Sequence, residues 1–226
     1  MPGKIRTHFP APGASVSMTP IPSSAVAESS DLAALYIADT VRWLERAVIG
    51  LNLCPFAKGV HVKGQIHYAV SWARGPADVL HMLRGELADL VAVPAQTRDT
   101  TLLLLPSCLQ DFLDFNDFLA EAEILLEEME LDGIVQIASF HPQFQFAGTD
   151  LDDVTNCTNR APYPTLHLLR EESIDRAVEV FPDAEAIFER NMETLEALGT
   201  DGWIALDVGA SVPAAQASSL LKDANQ

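Results

Sequence analysis

The chain has 226 residues, 48% of them hydrophobic, enough for one well-buried domain. No apolar run approaches the ~20 residues that a membrane helix requires, which excludes a membrane span. The formal charge of −18, from 32 acidic against 14 basic residues, repels phosphate backbones and excludes nucleic acid as a partner.

Acidity of this kind serves solubility and does not by itself point to a cationic substrate. Cys54, Cys108 and Cys157 are an odd number without a CxxC pair, which is neither a disulfide framework nor a zinc module, and a reducing cytoplasm is the expected compartment. Residues 1–28 are rich in Pro, Ser, Ala and Gly and are expected to be a flexible tail. Ala25-Val26-Ala27 looks like a signal-peptidase site, but Pro10, Pro12, Pro20 and Pro22 break the apolar stretch that such a signal needs.

From Ser30, the spacing of Leu32, Leu35, Val41, Leu44, Val48 and Leu51 predicts a helix of about five turns. Pro55 forbids its continuation and places Cys54 at or just beyond its C-terminus. The partial negative charge there disfavours a thiolate, so Cys54 reads as a buried structural cysteine before a nucleophile. Gln65 to Trp72 alternates as a strand, with His67 on its polar side, and Gly75-Pro76 opens a helix whose stripe is Val79, Leu83, Leu87 and Leu90. Thr100 to Leu105 is a continuous apolar strand. Asp111 caps the next helix, whose acidic residues form a solvated face, and Ile134 to Phe140 is another strand.

A segment without helical or strand period follows, from His141 to Pro164, holding Phe144, Phe146 and Tyr163 among amides and Arg160. Loops longer than about 12–15 residues in compact domains are usually functional or disordered, and disordered segments lack aromatics. Thr165 to Arg170 is the last core strand. Two helices over 171–180 and 183–198 come next, the second stopped by Gly199. A short edge strand is expected over 203–206, and residues 207–226 are expected to be a mobile tail.

Strands alternating with helices predict a single α/β domain over residues 29–206: a mixed, largely parallel sheet with helices packed on it and one long functional loop. Ligands of such sheets collect beyond the carboxyl ends of the strands. His141 leaves one strand there, ahead of a proline that fixes the loop's departure, and is the first candidate for acid–base work, a strand-end hydrogen bond being the equal alternative. Glu171 is its catalytic companion if the last strand is parallel; if that strand is antiparallel, Tyr163 and Thr165 approach His141 and Arg170 moves away. Asn156, Asn159, Arg160 and Arg170 are candidates for gripping a carboxylate or phosphate, turn chemistry being the ordinary role of the two Asn. His167 alternates away from Leu166 and Leu168 and reads first as a hydrogen-bonded structural histidine; with Cys54 and Tyr163 it is an accessory candidate. His141, His167, Glu171 and Cys54 are metal-ligand types, yet no local spacing joins them, so no metal and no cofactor is predicted. The phosphate-cradling GxxxxGK[ST], the dinucleotide GxGxxG and the hydrolase GxSxG are all missing.

Three longer motifs, GLNLCPFA around Cys54, FHPQFQFAGT from Phe140 and NCTNRAPYPTLHLLRE through Glu171, together resemble an uncharacterised bacterial domain-of-unknown-function family, number 1415, over about residues 31–203. The resemblance implies no activity and raises the standing of Cys54, His141, Asn159, Arg160, His167, Arg170 and Glu171 without assigning roles. The expectation is a cytoplasmic enzyme that hydrolyses a small anionic metabolite or transfers a group from it. A non-catalytic ligand-binding or regulatory protein is the first alternative, and an interaction module using the acidic helix is the second.

Overall fold

The computed structural model describes residues 23–180 and 186–212, with side chains over 29–179 and 186–212. Helix α1 spans Ser23–Trp43 and continues directly into a π-helical turn over Leu44–Ile49. It starts earlier than the expected start at Ser30, because Pro22 is the last helix breaker in the sequence before it and Ser23 to Glu28 contains neither Pro nor Gly. The rest of the expected N-terminal tail, residues 1–22, lies outside the described residues. A tight turn holding Cys54 leads into the short α2 (Ala57–Val62), then β1 (Ile66–Val70) and α3 (Pro76–Ala92), which has proline in its first turn. β2 (Thr100–Leu104) is buried at all five positions. In α4 (Phe112–Glu128) the Asp111 carboxylate accepts from the Leu113 and Asp114 amides and satisfies two donors that the helix cannot. β3 (Val135–Phe140), a 3-10 turn over Val154–Asn159, β4 (Thr165–Arg170), α5 (Glu171–Val180) and α6 (Ala186–Ala205) complete the order.

The α/β class and the mixed sheet stand, but the sheet is mostly antiparallel, and the expected largely parallel arrangement is corrected. Strand order is β1-β2-β4-β3: β1 and β2 pair in parallel, while β4 lies between β2 and β3, antiparallel to both. The reason lies in the connections. α3 and α4 each carry the chain back along the sheet, so β1, β2 and β3 point the same way. The segment after β3 contains no returning helix: it leaves at Phe140 and re-enters at Thr165, which is Phe140's partner across the ladder. β4 therefore runs back from the rim where β3 ends.

Alternation along the strands divides the interior in two. Leu103, Leu166, Leu168 and Ala69 face α3 and α4, whose Leu83, Leu87, Phe115 and Phe118 complete one core. On the other face Leu102 and Leu104 pack with Tyr36 of α1 and Tyr163. Trp43, Leu44 and Val48 continue that layer from the π-helical turn. Gly50 follows this turn; a Cβ there would stand 2.3 Å from the Arg46 carbonyl oxygen, so the wide turn requires glycine.

Two further expectations change. Residues 203–205 continue α6 instead of forming an edge strand, the chain bending at Gly199 (φ 67°, ψ 171°) and then resuming a helical course. Residues 207–212, expected in a mobile tail, are tied down. Arg42 donates to the Asp207 and Gly209 carbonyls at 2.8 Å each, and Arg46 donates to Leu206 O at 2.9 Å. The buried Asp39 carboxylate accepts from Ser211 N (2.7 Å), Ser211 Oγ (2.6 Å) and Tyr163 Oη (2.6 Å), and pairs with Arg42 at 2.9 Å. Burial alone would raise the Asp39 pKa, but these hydrogen bonds and the Arg42 charge hold it below the usual carboxylate value. Residues 213–226 lie outside the described residues.

Candidate functional site

The antiparallel β4 separates the expected catalytic pair. His141 lies at the rim where β3 ends, whereas Arg170 and Glu171 lie at the opposite rim, with Arg170 paired to Val135. Thr165, preceded by Tyr163, comes to the His141 end.

The His141 side chain is fully buried between the rings of Phe112 and Phe115, whose centroids are 5.4 and 5.2 Å from its own. Its Nδ1 accepts from the Gln143 amide at 3.0 Å, so Nε2 carries the proton and donates to Leu109 O at 3.2 Å. Burial lowers its pKa, opposed by its bond to Leu109 and by Asp111. Both nitrogens are occupied by main chain, the strand-end role that the sequence also allowed.

The other loop residues are spent in the same way. Asn156, with no exposed surface, accepts from Phe146 N and Thr149 Oγ1 at 2.9 Å and donates to Asp150 O at 2.9 Å. Asn159 donates to Ser139 O at 3.3 Å. Arg160 donates from Nε to Phe144 O (3.1 Å) and from Nη2 to Leu151 O (2.7 Å), on the edge of an open depression shared with Gln143 and Gln145. Tyr163 is buried, with its hydroxyl on Asp39. The segment from 141 to 164 is thus a self-bonded scaffold, with His141 and Asn156 as its internal ties.

A different place gathers functional groups. On the α1 side of the sheet, between the π-helical turn, α2 and α5, lies a cavity of about 340 Å3 whose walls are overwhelmingly apolar, Trp43, Leu44, Val48, Phe56, Phe140 and Ile174 among them. Volumes of about 300–1,000 Å3 with apolar walls and a few polar groups are usual for small-molecule sites. Three of the candidates named from the sequence line it: Cys54, His167 and Arg170. Each arrives for a local reason. Alternation along β4 puts Leu166 and Leu168 into the α3/α4 core and turns His167 the other way. The chain leaving the π-helical turn bends before Pro55 and presents Cys54. Arg170, the last residue of β4, lines it together with Asp99 and Ser173.

His167 is expected to be hydrogen-bonded, yet among the described residues neither ring nitrogen has a partner; its one ring neighbour is Phe140, 6.1 Å away and tilted. Trp43 stacks edge-on against the same Phe140 at 5.2 Å. Burial in this apolar setting lowers the His167 pKa to about 4, so the ring is neutral at pH 7. Cys54 is half-buried, in contrast to the buried Cys108 and Cys157. Desolvation raises its thiol pKa, partly offset by the Phe56 and Ala57 amides that hydrogen-bond the sulfur.

Arg170 has a structural duty as well. Its Nη2 donates to the Leu90 carbonyl, to Val93 O (2.6 Å) and to Arg98 O (3.1 Å), closing the end of α3. These acceptors are neutral, and among the described residues no carboxylate lies within ion-pair distance of Arg170. Arg170 thus brings a positive charge to the cavity wall, where the Asp99 carboxylate is a second charged group. α5 forms one wall through Ser173, Ile174 and Ala177, and no residue over 171–179 is fully buried. Ser173 Oγ donates to Asp99 Oδ1 at 2.5 Å, and both residues line the cavity.

Among the described residues no three His, Cys, Asp or Glu side chains converge as a metal site, and no helix is long and apolar enough to cross a membrane. Pattern reasoning missed this cavity because nothing in it is local: its residues come from six separate stretches. The available signal was the turn of His167 away from two buried leucines. Residues 35–205 match the model of a family described as "Protein of unknown function (DUF1415)". No curated protein and no solved structure matches the chain.

Proposed function

We propose that this chain, which belongs to the DUF1415 family, binds a small organic molecule with an apolar body and an anionic end in the cavity between the sheet, the π-helical turn and α5. The observation that carries this reading is the His167 imidazole, without a hydrogen-bond partner among the described residues, inside an apolar chamber of ligand size. The part-exposed ring keeps its nitrogens available to hydrogen-bond a molecule that enters the chamber, a gain of about 1 kcal/mol. The apolar body rests on Trp43, Phe56, Phe140 and Ile174, and the anionic end lies toward Arg170.

This moves the anion grip expected of Arg160 to the opposite rim: main-chain carbonyls engage both guanidinium groups, but Arg160 borders an open depression whereas Arg170 lines the apolar chamber that holds His167. The test is calorimetric titration with short alkyl and aryl carboxylates against their neutral primary amides. Carboxylates should bind at least tenfold more tightly, and Ala177→Phe, which fills the chamber from α5, should abolish binding. Equal affinity for acid and amide would remove the anionic end. Binding undiminished by Ala177→Phe would place the ligand elsewhere.

A further inference from the structure

β3 is one edge of the sheet and is bonded to another strand, β4, on one side only. In a strand the main-chain N–H and C=O of one residue point to the same side, and successive residues alternate. Leu105 N donates to Pro164 O, so Pro164 faces β2 and the next residue, Thr165, faces β3. Thr165 pairs with Phe140, so Gln136, Ala138 and Phe140 bond β4, whereas Val135, Ile137 and Ser139 turn their main-chain groups to the open side. The bond from Glu171 N to Ile134 O, on the β4 side, fits the same alternation.

Two of the outward groups are already used: Val135 N donates to Leu131 O at 3.1 Å, and Ser139 O accepts from Asn159 Nδ2 at 3.3 Å. Val135 O, Ile137 N, Ile137 O and Ser139 N have no hydrogen bond among the described residues. Sheets commonly blunt such an edge with lysine, proline, a bulge or an inward charge. Residues 135–139, Val-Gln-Ile-Ala-Ser, hold no lysine, proline or charge, and their register with β4 is unbroken.

The free groups are complementary to themselves. About a two-fold axis at Ile137, antiparallel pairing sets Ile137 against the partner's Ile137 and Val135 against the partner's Ser139. Ile137 N and O then bond the partner's Ile137 O and N, and Val135 O accepts from the partner's Ser139 N, once in each direction. The used groups, Val135 N and Ser139 O, fall opposite one another, whereas a shifted register would set a free group against a used one. Charge points to the same contact. At −18 two copies repel over most of their surface, but residues 133–149 contain no Asp, Glu, Lys or Arg. Ile134, beside the strand, is 51% exposed.

We infer that β3 is a dimerisation edge: a second copy of this chain pairs its own β3 antiparallel to it, joining two four-stranded sheets into one continuous sheet. The axis stands perpendicular to the sheet, so α3 and α4 of both copies share one face. The two chambers, each lined in part by Ala138 and Phe140, share the other. The pairing does not depend on what the chamber binds.

Sedimentation velocity of the full chain, from micromolar to submillimolar protein at low and high NaCl, tests this. One strand with its flanks is a small interface, so a concentration-dependent shift from 24.5 kDa to twice that mass is expected, with a micromolar dissociation constant. That constant should fall as salt screens the two negative copies. Ser139→Pro removes a donor that faces outward, a position at which an edge strand accepts proline, and should raise the constant about tenfold or more. Should the variant fail to fold, residue-resolved amide exchange of the unaltered chain answers the same question: Ile137 and Ser139 should exchange more slowly as concentration rises, with Gln136 and Ala138 protected throughout. A monomer at every concentration overturns the proposal and leaves the edge to an extended segment of another protein. So do a dimer undiminished by Ser139→Pro, growth beyond two copies, and a dimer whose Ile137 and Ser139 amides exchange as in the monomer.

Discussion

Replacing His167 with Leu should reshape the pH dependence of stability, and the size follows from its setting. In the unfolded chain the imidazole titrates near 6.5, whereas in the fold burial lowers its pKa to about 4. Between these values the unfolded chain binds a proton that the folded chain refuses, so this term of stability is fully present above pH 6.5 and is lost as pH falls toward 4. Integrated from pH 7 to pH 4.5, the loss is about 2 kcal/mol, an upper figure because the ring is not wholly shielded from solvent. Urea unfolding of the unaltered chain and of His167→Leu at both pH values isolates the term, since His141 and His67, whose pKa values burial also lowers, remain in both proteins. The unaltered chain should lose about 2 kcal/mol more than the variant. Parallel losses would falsify the assignment of His167 to an apolar chamber and remove the observation on which the ligand reading stands.

Other substitutions test the frame around the cavity. Gly50→Ala brings a Cβ against the Arg46 carbonyl and should cost about 1–3 kcal/mol in denaturant unfolding while disturbing the wall formed by Leu44 and Val48. Arg160→Ala removes two charged hydrogen bonds to loop carbonyls; a loss of about 2 kcal/mol with unchanged carboxylate affinity is expected, and lost affinity at unchanged stability would restore the loop as the binding site. Asp39→Ala leaves the Tyr163 hydroxyl and the Ser211 amide without their acceptor, so about 3 kcal/mol should be lost, with faster hydrogen exchange at 207–212. The lowered Asp39 pKa adds a sign: its contribution is present above pH ~4 and disappears as pH falls through the lower folded value, so unfolding curves of Asp39→Ala and the unaltered chain should converge in acid.

Most elements were legible because their causes are local. Pro76, Asp111 and the five buried positions of β2 mark helix starts and a covered strand without reference to anything distant. The sheet's direction was not legible, because it depends on whether the chain after Phe140 crosses the sheet or turns back. A stretch of Asn, Phe and Arg without period is compatible with either. The site failed to show for a related reason. His141 and Arg160 are the residue types of chemistry, but their surroundings, Leu109 O, Phe144 O and Leu151 O, are main-chain atoms that no side-chain pattern reveals. Cys54 and His167 looked bland in sequence, one near a helix end and the other between leucines, and acquire interest only through sharing a chamber.

The polar loop and the apolar cavity are nevertheless parts of one design. For His167 to face the chamber, β4 must enter the sheet between β2 and β3 in one register, since a slip of one residue would turn His167 into the α3/α4 core and Leu166 or Leu168 outward. That register is set where the strand begins, at Thr165 opposite Phe140 and Leu104. The ties that hold this start are those of the loop: His141 N donates to Asn159 O at 3.1 Å, Asn159 Nδ2 to Ser139 O, Tyr163 Oη to Asp39, and Leu105 N to Pro164 O at 2.8 Å. A loop this rich in hydrogen-bonding side chains is what a reversal without a helix demands, since every main-chain group it buries needs a partner. The residues that looked catalytic therefore act on the cavity at a distance, by fixing which face of β4 carries its histidine.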